Sequence, residues 1–347
     1  MLKSLRGGGN FREIFLHAIS VSNLIAAWNE FKRGKRKKKD IAEFELHLED
    51  RLFRLHHELV NKTYVHDPYF DFYICDPKRR HIHKATVRDR VLHQAIFRVL
   101  YPVFDVHFIH DSYSSRNNKG THAGVERLVS ACRRETKNWN KTAYALKCDI
   151  RKFFDSIDHE MLRALLVKKI SDPDMRWLVD IILSSFEKEK GKGLPLGNVT
   201  SQLFANVYLN ELDQFAKHAL KAKHYFRYCD DFIIVSPSKE HLEKLIAQIQ
   251  IFLREKLSLE LHPRKVEIRK VQQGIDFLGY IVLPSTNIVR TSTKKRILRK
   301  VVYAQKLKNK GEITKEQFRS VITSYLGVLS HARGRETRTM LQKLISN

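Results

Sequence analysis

Two adjacent carboxylates interrupt a run of strand-forming residues at Phe226-Arg227-Tyr228-Cys229-Asp230-Asp231-Phe232-Ile233-Ile234-Val235, and this interruption limits the folds open to the chain. Aromatic and β-branched residues on both sides favour strands, so the chain must turn between them and carry its acids at the tip. Two unpaired carboxylates inside a sheet would be costly, because like charges a few ångströms apart resist joint ionisation. A bound divalent cation removes that objection. A further acid, Asp149, ends the apolar run Leu146-Lys147-Cys148-Asp149, and Ile150-Arg151-Lys152-Phe153-Phe154-Asp155 leads on to a helical pattern. Asp149, Asp230 and Asp231 together offer the hard oxygen ligands that Mg2+ prefers and leave positions open for phosphates. Two such ions can activate a nucleophile and stabilise a leaving group in phosphoryl transfer. Each motif alone also has a plainer reading, since Asp-Asp is common in turns and a strand-ending Asp often caps a helix.

The flanking pattern predicts a sheet covered by helices. Ala143 to Ile150 reads as a strand, His159 to Lys169 and Ser201 to Leu220 as helices, and Lys239 to Lys256 as a helix after the paired strands. Upstream, apolar residues at Phe44, Leu46, Leu48, Leu52, Leu55 and Leu59 predict helix over Ile41 to Leu59. Tyr64 to Ile82 is β-like, and Arg88 to Tyr101 and Thr121 to Arg134 are helical.

Charge narrows the partner class. The 347 residues carry 64 Lys and Arg against 38 Asp and Glu, a net of +26, which points to a polyanion. From Arg290 onward 15 Lys or Arg face 3 Glu, on a helix-rich pattern that reads as a separate basic subdomain. The run Lys32-Arg33-Gly34-Lys35-Arg36-Lys37-Lys38-Lys39 fits a solvated loop and a phosphate contact equally well. No window has the apolar length of a membrane span, and MLKSLRGGGNFREIF lacks the apolar stretch of a signal peptide. Cys75, Cys132, Cys148 and Cys229 form no close pair, so a disulfide framework and a Cys-based zinc site are disfavoured and a cytoplasmic location is expected. The histidines show no His-x-Glu-x-x-His spacing.

Taken jointly, the acid motifs resemble those of the reverse transcriptases. Tyr228-Cys229-Asp230-Asp231 is similar to that family's Tyr-x-Asp-Asp box, and Asp149 with Phe153-Phe154-Asp155 to its first palm motif. The likeness runs in order from Lys78 to Tyr280. It includes Lys78-Arg79-Arg80 with Ala85-Thr86-Val87-Arg88-Asp89-Arg90, the block Tyr113 to Gly120, and Phe277-Leu278-Gly279-Tyr280. The resemblance implies an α/β (α+β) right-hand polymerase with fingers, a palm built on a ferredoxin-like sheet with helices, and a helical thumb. On that frame residues 1–60 form an N-terminal helical and basic segment and 61–142 the fingers. The palm spans 143–287, with a fingers insertion near 170–195, and 288–347 form the basic thumb.

The resemblance implies that Asp149, Asp230 and Asp231 are catalytic and that Asp149, Ile150, Asp230 and Asp231 hold two Mg2+ ions. Lys78, Arg80, Arg116, Phe154, Leu196, Gly197, Gln202 and Lys265 would contact the incoming dNTP, and Phe277 to Tyr280 would form the primer grip. Phe154, five residues after Asp149, would sit under the sugar and clash with a 2′-hydroxyl; it also reads as a core aromatic, since Phe153 is its neighbour. Lys265 reads equally as a group that protonates or neutralises pyrophosphate and as a surface lysine.

One segment departs from the common pattern. Where most relatives of the group II intron type carry Gln-Gly followed by Ser-Pro, this chain has Leu196-Gly197 and Ser201-Gln202. That variant resembles the reverse transcriptases of diversity-generating retroelements, which copy a template-repeat RNA into cDNA misread at adenines and work with a small basic accessory protein. Leu196 in place of Gln removes a hydrogen-bonding group that would help position the nucleotide, and looser positioning lowers discrimination. The nearest rival is another bacterial reverse transcriptase, of retron, group II intron or phage-defence type; a maturase would be expected to carry further regions after the thumb, and a retron enzyme Val-Thr-Gly where this chain has Thr323-Ser324-Tyr325-Leu326-Gly327, so those two are disfavoured. A non-catalytic RNA-binding scaffold remains as a rival from another class, although clustered carboxylates are of no use to a pure phosphate binder.

Overall fold

A computed structural model describes residues 13–76, 78–284, 286–332 and 335–346, so the first twelve residues of the expected N-terminal segment lie outside the described residues. In chain order the helices and strands begin with α1 (Ile14–Ile19), α2 (Val21–Phe31), α3 (Lys39–Leu46), α4 (Leu48–Val60), β1 (Phe70–Cys75), β2 (Arg79–Lys84), α5 (Val87–Asp105) and α6 (Thr121–Glu135). They continue with β3 (Tyr144–Asp149), α7 (Phe153–Ser156), α8 (His159–Val167), α9 (Pro173–Ser184) and α10 (Val199–Gln214), which runs into a π-helical turn over Phe215–Ala219. Next come β4 (His224–Tyr228), β5 (Asp231–Ser236), α11 (Lys239–Leu257), β6 (Glu267–Lys270), β7 (Ile275–Phe277), β8 (Tyr280–Val282) and β9 (Asn287–Val289). The last are α12 (Thr291–Asn309), α13 (Lys315–Ser330) and α14 (Arg335–Ser346). No described helix is long and apolar enough to cross a membrane.

The chain divides into two compact units. The first holds the residues up to His110 with Ile150–Phe215 and Gln250–Leu261; the second holds Asp111–Asp149, Ala216–Ile249 and His262 onward. The division joins the sheet of β3 to β6 with the basic helices after 288, and it groups α8 to α10 with the N-terminal helices.

In the first unit, Thr86 caps α5 by accepting the Asp89 N–H, and the helix buries Val91, Leu92, Ala95, Ile96, Val99 and Leu100 beneath α1, α2 and α10. Asp172 caps α9 with Pro173 at its first position. The single helix expected over Ile41 to Leu59 is two helices, because the chain breaks at His47 (φ −124°, ψ 39°). Leu46 departs from the expected stripe: α3 buries Ile41 and Phe44, α4 buries Leu52, Leu55 and Leu59, and Leu46 is 79% exposed.

In the second unit the four-stranded sheet has the order β4-β5-β3-β6, with every neighbouring pair antiparallel. Strand β3 is followed by helices, then the β4-β5 pair, then α11, then β6, which is the split β-α-β connectivity of a ferredoxin-like sheet. The central strand β5 is buried along Phe232-Ile233-Ile234-Val235, as a strand covered on both faces must be. Ile233 and Val235 join Phe226 and Ala145 in a core with Leu128, Ala131 and Cys132 of α6, and this core continues into Ile275, Phe277 and Val282. A smaller core of Ile297, Val301, Phe318, Ile322, Leu329 and Leu341 holds α12, α13 and α14 together. All four cysteines are free.

Candidate active site

Tyr228 pairs with Asp231 across the β4-β5 hairpin, which leaves Cys229 and Asp230 as a two-residue turn. Cys229 takes φ 56°, a left-handed conformation that costs an L-residue about 1–2 kcal/mol and is met mostly where structure around it enforces the turn. Antiparallel pairing of β3 with β5 sets Asp149 directly opposite Asp231. Cross-strand partners have Cβ atoms roughly 5 Å apart, so the end of the sheet carries two facing carboxylates with Asp230 beside them.

The surroundings of Asp230 and Asp231 raise the affinity of these two for protons. Burial pushes Asp231 up to about 6; Lys147 opposes the shift, and the neighbouring charges of Asp230 and Asp149 and a hydrogen bond with Asp149 add to it. Burial also raises Asp230, with a further upward push from Asp149. One cation already answers this charge: Lys265 Nζ lies 2.7 Å from Asp149 Oδ2. The backbone holds Lys265 in place, because the His262 N–H donates to the Asp149 carbonyl at 2.7 Å and the Lys265 N–H to the His262 carbonyl at 3.0 Å.

A buried guanidinium supports the turn from beneath. Arg227 is fully buried; its Nη1 donates to the Cys229 carbonyl and its Nη2 to Ser112 Oγ, each at 3.1 Å. The same residue's N–H donates to the Asp111 carbonyl and its carbonyl accepts from Tyr113 N–H, so Asp111 to Tyr113 runs along the edge of β4. Asp111 is tied in turn to Tyr113 Oη at 2.9 Å and Arg127 Nε at 3.1 Å. Sequence reasoning gave Arg227 no role. Its signal was an arginine inside a run of aromatic strand residues, where a charge persists only if partnered.

The remaining candidates divide between the units. In the second unit, Arg116 Nη1 donates to the Ser112 carbonyl at 3.1 Å. Phe277 and Tyr280 pair across a β7-β8 turn made by Leu278 (φ 52°) and Gly279 (φ 89°). In the first unit, Lys78 and Arg80 are exposed at the turn end of the two-stranded β1-β2 hairpin. Phe153 is buried and Phe154 half-exposed, with their rings edge to face at 5.3 Å, so of the two Phe153 is the core aromatic. Leu196 is half-buried and its carbonyl accepts from His83 N–H at 3.1 Å. Gly197 adopts φ 126° with Ile82 Cγ2 only 3.4 Å from where a Cβ would stand, which suits glycine. Gln202 is exposed on α10, and Ile150 is buried and bridged to Leu261.

The donor chemistry suits a hard divalent cation: three carboxylates, two with raised proton affinity, and an ammonium seated on the third in the position of a countercharge. Among the described residues, no group of three or more His, Cys, Asp or Glu is already gathered in a metal-holding arrangement. The side chains would therefore have to close around an ion as it binds.

The family described as reverse transcriptase (RNA-dependent DNA polymerase) matches residues 75–282. The group II intron-encoded protein LtrA of Lactococcus lactis subsp. cremoris is 25% identical over 319 residues, covering 72% of this chain and 51% of the relative. Protein YkfC of Escherichia coli (strain K12) is 24% identical over 269 residues, covering 65% of this chain and 69% of the relative. The chain thus spans about half the length of the Lactococcus relative. Among solved structures, apo telomerase from Candida tropicalis is similar with a TM-score of 0.46 at 13% identity, over 63% of this chain and 48% of that one.

Proposed function

The chain belongs to the reverse transcriptase (RNA-dependent DNA polymerase) family, and from that premise we propose that it extends a primer 3′-end with dNTPs on an RNA template. The observation that carries this reading is the register of Asp149 against Asp231, with Asp230 in the adjoining turn at one end of a ferredoxin-like sheet. Asp149, Asp230 and Asp231, with Ile150, are the residues that would hold two Mg2+ ions. Bound there, the metal would supply charge neutralisation for phosphoryl transfer. Lys265, within reach of the acid cluster, would release Asp149 and offer its proton or charge to the departing pyrophosphate. Lys78, Arg80 and Arg116 would hold the triphosphate by charge, and the half-exposed ring of Phe154 would exclude a 2′-hydroxyl. Phe277 to Tyr280 would seat the primer, and the basic helices beyond Arg290 would hold the RNA/DNA heteroduplex by phosphate contacts.

The finer reading is an enzyme of a diversity-generating retroelement, cytoplasmic in its host and working with a small basic accessory protein. It makes cDNA from a template-repeat RNA with errors concentrated at adenines. Leu196, Gly197 and the Ser201-Gln202 pair support it: the aliphatic side chain at 196 has no group to offer a nucleotide, and its carbonyl is taken up by the His83 N–H. The likeness to LtrA favours a second reading, a group II intron-type enzyme that copies accurately.

Primer extension on a defined RNA template, with sequencing of the cDNA, tests both. Mg2+-dependent product with errors concentrated opposite adenines, absent from an Asp230→Asn/Asp231→Asn enzyme, is the expected result. Accurate cDNA would move the assignment to the second reading. Absence of wild-type synthesis with the accessory protein supplied would overturn the polymerase reading itself.

A further inference from the structure

Tyr280 ends the β7-β8 turn, and its side chain reaches two helices that belong to neither strand. The phenol donates to the Val328 carbonyl of α13 at 2.9 Å and meets His122 Nε2 of α6 at 3.1 Å. Val328 lies in the last turn of α13, where carbonyls have no partner within the helix, so the hydroxyl satisfies an acceptor the helix leaves open. His122 stacks on His331, the residue that closes α13, with ring centroids 3.6 Å apart and planes 22° from parallel. His331 Nδ1 also lies 3.8 Å from Glu126, one turn along α6 from His122. The approach of α6 to the turn depends on Gly124, since a Cβ there would stand 3.3 Å from both Leu278 Cδ1 and Tyr113 Cγ.

These contacts sit where the two cores of the second unit meet. Val289 and Val328 pack against both the sheet core and the core of α12 to α14. Apolar packing is non-directional and would permit α13 to rock on the sheet; hydrogen bonds with preferred angles and a stacked ring pair would not. The turn that Tyr280 ends is the segment proposed to seat the primer, and α12 to α14 carry the basic surface proposed to hold the duplex.

We propose that Tyr280, His122 and His331 form a latch that fixes α13 against the 277–280 turn, making His122 and His331 positioning residues that set how long the enzyme retains its heteroduplex between additions. The inference rests on the polymerase reading. Its test measures dissociation of a fluorescent RNA/DNA heteroduplex, which needs no catalysis, alongside the rate of single-nucleotide addition from a preformed complex. Tyr280→Phe removes the hydroxyl and keeps the ring, and should speed dissociation about fivefold, the change that one net hydrogen bond represents. His331→Ala and His122→Leu should speed it by about threefold or more while leaving the single-addition rate unchanged. His331→Phe restores a stacking ring and should recover most of the loss.

Dissociation at the wild-type rate in all these variants overturns the latch. So does a loss of single-addition rate in His331→Ala as large as the gain in dissociation, since that would place the residue in the chemistry or the fold. A wild-type protein that holds the heteroduplex but adds no nucleotide would remove the polymerase reading and still leave the dissociation comparison to decide the latch; one that holds no heteroduplex would overturn both.

Discussion

Replacing Asp231 by Asn should stabilise the metal-free protein while abolishing its chemistry, and the gain should grow with pH. In the folded chain Asp231 is raised to about 6 from its ordinary value of 3.8, with burial as the largest cause. Well below pH 3.8 the carboxyl is protonated in both folded and unfolded chains and imposes no cost. As pH rises, the unfolded chain ionises first, and the folded chain follows only as pH passes 6, so stability is lost across that window. The displacement from 3.8 to about 6 corresponds to about 3 kcal/mol at most. Asn is uncharged throughout. Thermal midpoints in EDTA, compared from pH 4 to pH 8, should therefore nearly coincide at the acid end and separate by a few degrees at pH 8, with the variant higher. Mg2+ should raise the wild-type midpoint more than that of the variant, which keeps only Asp149 and Asp230 as carboxylate ligands. A gain independent of pH, or a variant less stable than wild type at pH 8, would refute the reasoning that places unrelieved negative charge at this end of the sheet.

Three further substitutions probe the site. Phe154→Val should raise use of ribonucleotides relative to deoxynucleotides by about 10- to 100-fold in competition assays, the range expected when a steric discriminator is removed; an unchanged ratio would return Phe154 to a structural role. Arg227→Ala leaves the Cys229 carbonyl and Ser112 without their buried donor and should cost about 3 kcal/mol in urea unfolding, with loss of activity at temperatures where the fold persists. Wild-type stability in that variant would mean the turn does not depend on the guanidinium. Leu196→Gln should lower misincorporation at template adenines when its cDNA is sequenced, and an error rate equal to the parent's would remove Leu196 from the explanation.

The acid-bearing turn was legible because its neighbours leave few alternatives: strand formers on both sides of Cys229-Asp230 require a tight reversal. The long helices were legible from apolar periodicity, and α6 runs Thr121–Glu135 where Thr121 to Arg134 was expected. The facing of Asp149 and Asp231 was not, since nothing local fixes the register of strands that far apart in the chain. Arg227 escaped notice because β4 is buried on both sides from His224 to Arg227, so the usual alternation of inward and outward residues carries no signal there. The break at His47 was hidden by leucines at 46 and 48 that prolong the apparent stripe although Leu46 faces water. The contacts of Tyr280 with α6 and α13 involve residues in three separate segments, none of them unusual in its own context.

The central claim, that Asp149, Asp230 and Asp231 form the centre of an RNA-directed DNA polymerase, is tested most directly by single-nucleotide addition to a primer annealed to RNA, with and without Mg2+. Wild type should add the templated dNTP only with the metal, and Asp149→Asn and Asp230→Asn should each reduce the rate by at least about a thousandfold while still binding the duplex. Addition by either variant at a rate near wild type, or metal-independent addition by wild type, would contradict the assignment.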